Sequence, residues 1–112
     1  MKRPLRLELV INSYDRGTSL PSRLGGDEPV WDRWTWRLLS GREVVSTSGS
    51  QLYSRRVGAA RGAEVGAGLE GVREVLSGRR TIAGELGTAY RFTSESSERV
   101  PVVIVDARGT DG

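Results

Sequence analysis

Residues 31–40 read Trp-Asp-Arg-Trp-Thr-Trp-Arg-Leu-Leu-Ser, residues 41–42 Gly-Arg, and residues 43–48 Glu-Val-Val-Ser-Thr-Ser. In the first run Trp34, Trp36 and Leu38 alternate with Thr35, Arg37 and Leu39, the period of two of a half-buried strand. Ser40, Gly41 and Arg42 make a tight turn, and the β-branched run after it is the return strand. The stretch is therefore expected to fold as a hairpin. Its phase puts Trp34 and Trp36 together on one face and leaves Trp31 on the other.

Upstream, residues 5–12 alternate as well. Leu5, Leu7, Leu9 and Ile11 share one face, with Arg6 and Glu8 on the opposite one, which predicts a second half-buried strand. Residues 13–30, rich in Gly, Pro, Ser and Asp, read as a loop, long for a connection inside one domain. Downstream, a helix is expected from an N-cap at Ser54 to a stop at Gly78, with an apolar stripe of Val57, Ala60, Val65, Leu69, Val72 and Leu76. Glycines 58, 62, 66, 68 and 71 lie inside it, each costing about 1 kcal/mol relative to alanine. The helix must then be held by packing, and a break near Gly66-Ala67-Gly68 would leave a second short helix at 69–77. Strands are expected at 88–93 and 100–106. Pro101, lacking an N–H, belongs near a strand start or at a sheet edge. The expected fold is α+β: a small antiparallel sheet, in the order β-β-β-α-β-β, with one helix packed on one face. The 112 residues form one domain over 1–108, followed by a flexible tail at 109–112.

The residues Trp34, Trp36-Arg37-Leu38, Gly41, Glu43-Val44-Val45, Ser48, Tyr53-Ser54, Ala60 and Gly62 resemble the YegP-like family over about residues 34–66. The resemblance implies a small ββ-hairpin-plus-helix module of uncharacterised function, with no catalytic residues to carry over. No second copy of the pattern follows in residues 79–108.

Composition narrows the chemistry. The chain has no cysteine and no histidine, so thiolate metal sites, the usual general base and the usual near-neutral switch are excluded. No glycine run matches a phosphate loop or a dinucleotide fingerprint, and no acidic spacing marks a metal or acid–base site. The expectation is a non-enzymatic protein with no cofactor and no metal. The N-terminus has no apolar signal region and no run approaches a membrane span, so the expected location is the cytoplasm, with no membrane partner.

The net charge is +3, and 16 of the 17 basic residues are arginine. Residues 1–61 carry 11 basic and 6 acidic residues, and residues 62–112 carry 6 and 8. Arginine suits phosphate and carboxylate recognition, although high-GC coding enriches the same residue. Two surfaces stand out. Trp31, Arg33, Arg37, Arg55, Arg56 and Arg61 are candidate contacts to a protein partner or to nucleic acid. Gly58, Gly62 and Gly66, spaced at i, i+4, form a small-residue ridge for close packing, on the domain's own sheet or on a second copy. The favoured reading is an interaction or structural module, acting as a homodimer or small accessory subunit. The alternative is a nucleic-acid-binding protein using the arginines and tryptophans of the N-terminal half.

Overall fold

A computed structural model describes residues 3–15, 30–78 and 83–108. The expected tail at 109–112 and the interior of the expected 13–30 loop lie outside the described residues.

Among these residues six strands form one sheet: β1 (Leu5–Asp15), β2 (Val30–Ser40), β3 (Glu43–Thr47), β4 (Leu69–Glu70), β5 (Gly84–Phe92) and β6 (Ser97–Asp106). Among the described residues two helices accompany it, α1 (Arg56–Ala67) and α2 (Val72–Leu76). The strand order is β3-β2-β1-β6-β5-β4. All pairs are antiparallel except β1 with β6, which run parallel at the midline. The class is α+β, but the sheet is larger than expected, there are two helices rather than one, and the sheet is mixed.

Both ends of the β1–β2 hairpin run further than alternation alone indicated. Residues 13–15 continue β1 and Val30 opens β2, in register from Leu5 with Ser40 to Asp15 with Val30. The hairpin to β3 turns through Gly41 at φ 63, where Arg3 also crowds the position a Cβ would take. Such a left-handed turn favours glycine.

The main core cluster lies on the face that the helices cover. Leu5, Leu7 and Leu9 of β1, Trp36 and Leu38 of β2, Val100, Val102 and Ile104 of β6, and Leu86 and Ala89 of β5 pack against Ala59, Ala60 and Ala63 of α1 and Val72 and Leu76 of α2. A fully buried aliphatic side chain of this kind contributes about 1.5–3 kcal/mol.

The expected helix stripe is corrected. Val57 and Val65 face outward, Val65 at 81% exposure, and the buried face of α1 is alanine. The reason is the aromatic layer beneath. Tyr53 lies against Gly58 and Gly62, and Trp36 against Gly62 and Gly66, so the inward face must be small. The N-cap is Arg55 rather than Ser54, in extended backbone with no side-chain cap bond. The helix ends at Gly68, φ 68, whose N–H donates to the Glu64 carbonyl, instead of running to Gly78. The two residues of β4 then intervene before α2. Pro101 is not at an edge: β6 is paired on both sides. Its ladder with β1 begins at Val102, one residue past the proline, so the missing N–H breaks no bond on that side.

Candidate functional site

With both helices on one face, the other face of the sheet carries no second layer among the described residues. Register shows which side chains it presents. Across β2 and β1 the opposed pairs are Trp31 with Tyr14, Arg33 with Asn12, Thr35 with Val10, Arg37 with Glu8, and Leu39 with Arg6. Val103 and Val105 of β6 extend the Glu8 and Val10 rows. Glu85, Thr88, Tyr90 and Phe92 of β5 oppose Val103, Pro101, Arg99 and Ser97.

Three zones follow. At one corner Tyr90 and Phe92 stack with ring centroids 6.2 Å apart, and Phe92 is 57% exposed. At the opposite corner Arg33 sits 4.0 Å over the ring of Trp31, itself 39% exposed, within the range of a cation–π contact. Between them Glu8 is 5% exposed although no helix covers it. Its burial comes from its neighbours: Arg6 Nη2 lies 2.7 Å from one carboxylate oxygen and Arg37 Nε 2.5 Å from the other. Two guanidinium groups on one carboxylate leave this trio with a surplus positive charge. Half-buried Val10, Val103 and Val105 sit beside it.

The structure divides the six sequence-derived contact residues. Trp31, Arg33 and Arg37 lie together on the helix-free face. Arg55, Arg56 and Arg61 lie at the start and middle of α1, on the other side of the sheet. Arg6, Arg99, Tyr90 and Phe92 belong with the first group and were not singled out. Alternation already put Arg6 opposite the core, but the others join it only through the β1–β6 pairing, which no local signal marks. The ridge Gly58, Gly62 and Gly66 is occupied by the chain's own Tyr53 and Trp36.

The helical side offers a shallow polar cleft of about 420 Å³ lined by Arg61, Glu64, Leu69, Glu70, Arg73 and Glu74. Its central carboxylate is already engaged. Glu64 accepts from the Val72 and Arg73 N–H groups at 3.1 and 3.3 Å and pairs with Arg73 Nε at 2.6 Å, clamping α2 to α1. At the far end of β6, Arg108 bridges Asp106 and Asp32 at 2.9 and 3.2 Å. Its hydrogen bonds hold the Asp106 carboxyl below the ordinary aspartate range and push Arg108 up.

Among the described residues no cluster of three acidic side chains could hold a metal ion, and no helix is long and apolar enough to cross a membrane. No protein-family model, curated protein or solved structure matches the chain.

Proposed function

We propose that the protein is a non-enzymatic interaction module, acting as a homodimer or a small accessory subunit, and that the helix-free sheet face is its working surface. The observation that carries this reading is the contrast between the two faces. One is closed by alanine-rich helix packing. The other sets exposed Trp31, Tyr90 and Phe92 around half-buried valines and an arginine-rich centre. Aromatic residues and arginine are the types that dominate interface energetics. The sheet edges support the same choice. β4 is two residues long, and β3 is short and bulged, with Val45 left out of register between the Leu38–Ser46 and Leu39–Val44 pairs. Both are devices that discourage strand addition. The resemblance of residues 34–66 to YegP-like modules, which brings no catalytic residues, is in keeping with a non-enzymatic role.

Size-exclusion chromatography with light scattering, read at two ultraviolet wavelengths in about 50 mM and about 500 mM salt, tests it. A protein-only particle heavier than one 12.2 kDa chain in both salts is the expected result. A lone monomer shedding nucleic acid at high salt would replace it with the second reading.

That second reading, a nucleic-acid-binding protein, is favoured by the Arg33–Trp31 stack and by Tyr90 and Phe92 on the same face, since bases stack on exposed aromatics within a cationic groove. It makes a divided demand on the arginines. Replacing Arg6, Arg33 and Arg99 with Gln should weaken oligonucleotide binding and flatten its salt dependence. Replacing Arg55 and Arg56 should leave both unchanged.

A further inference from the structure

Resting on the reading that the helix-free face is the working surface, we infer that its occupant is a second copy of this chain, packed sheet to sheet across a twofold axis running along the β1–β6 pair. The strand order places β1 and β6 at the midline, with two strands on either side. A twofold along that line lays β2 over the partner's β5 and β1 over the partner's β6.

The charges of this face are uneven across the same line. The β2–β1 half carries Arg33, Arg37 and Arg6 against the single carboxylate Glu8. The β6–β5 half carries Glu85, opposite Val103, and a single arginine, Arg99, opposite Tyr90. Glu85 is exposed and has no ion-pair partner among the described residues. The twofold therefore brings the arginine-rich half onto the half that carries Glu85. The closest match is in one row: Arg37, Glu8, Val103 and Glu85 lie side by side across four strands, so Arg37 of one protomer stands over Glu85 of the other. In the next row Val10 and Val105 are neighbours at the midline, and the twofold stacks the two pairs into a four-valine centre. Aligned sheets pack in this way about 10 Å apart, with side chains of the inner faces interdigitated. An isologous interface of this kind closes on itself and stops at two copies.

Sedimentation equilibrium from about 1 to about 100 μM tests the packing on four chains: the parent, Val10→Arg, Glu85→Arg and Val65→Arg. The parent should fit twice the 12.2 kDa chain mass. Val10→Arg should be monomeric, and Glu85→Arg should weaken the dimer by about tenfold or more, through like charge against Arg37. Val65→Arg, on the outer side of α1, should match the parent. Glu85 is exposed, so that variant keeps the test alive if circular dichroism shows Val10→Arg unfolded. A dimer that survives Val10→Arg and Glu85→Arg but is lost in Val65→Arg would overturn this packing while leaving an interaction module. A parent that is monomeric throughout the range would overturn the second copy as occupant.

Discussion

Gly62 has the least room of the three glycines on α1. A Cβ there would stand 2.7 Å from Tyr53 Cζ and 3.1 Å from Trp36 Nε1, and one at Gly66 would stand 2.6 Å from Trp36 Cζ2. Alanine is the better helix former by about 1 kcal/mol, but overpacking of this kind costs about 1–3 kcal/mol. Gly62→Ala and Gly66→Ala should therefore lower the urea midpoint. Gly58→Ala, with its nearest atom at 3.3 Å, should be close to neutral. A rise in midpoint for Gly62→Ala would show that the aromatic layer does not hold α1 in this way. The sequence displays the i, i+4 glycines plainly. What fills the ridge was not legible, because it depends on the loop that brings Tyr53 beside Trp34, where the two residues exchange backbone hydrogen bonds of 2.7 and 2.8 Å.

Asp106 gives a pH signature at the same scale. Its folded pKa is depressed by Arg108, so the unfolded chain binds the proton more readily. The associated stability is present above the unfolded value, about 3.9, and drains away as pH falls through the folded value. Asp106→Asn should remove that part of the acid limb, giving a shallower loss of stability below about pH 4 in thermal melts. Identical slopes for the two chains would mean that the Arg108 bridge adds nothing in solution.

At the level of elements, α1 has an unfilled cap. Arg55 has the extended backbone of an N-cap but makes no side-chain cap bond, and the first turn holds no acidic residue. Arg55→Asp should raise stability by about 0.5–1.5 kcal/mol, through capping and a favourable charge on the helix dipole. An unchanged denaturation midpoint would argue that the helix starts elsewhere. Glu64→Gln should act in the opposite sense, because it loosens the carboxylate that joins α2 to α1. A loss of about 1 kcal/mol is expected from part-buried and exposed hydrogen bonds to a charged group. Element types were largely readable: the two hairpin strands, the first and last strands and the helix break near Gly68 follow from period and glycine placement. Their lengths were less so. The continuation of β1 through Asn12, Ser13, Tyr14 and Asp15 is polar in sequence and is secured by pairing with β2. β4 is a two-residue pairing with β5 and has no local signature.

For the whole molecule, the decisive fact is the parallel pairing of the first and last strands. It carries Tyr90, Phe92 and Arg99 onto the face that already holds Arg6, Glu8 and Arg37, and it leaves both helices on the other side. That juxtaposition was not legible in the sequence, since sequence period identifies strands and faces but not which strands become neighbours. The absence of cysteine and histidine was legible, and it is why the functional reading turns on surfaces rather than on a reaction.

The coverage of that face can be read at single side chains. Solvent paramagnetic relaxation of the valine methyls, compared between dilute and concentrated protein, sets Val10, Val103 and Val105 against Val57 and Val65 in the same spectrum. A sheet-to-sheet dimer requires the first three to become shielded as concentration rises while the two on α1 stay exposed. Shielding of Val57 and Val65 alone, or of none of the five at a concentration where the particle is dimeric, would contradict it.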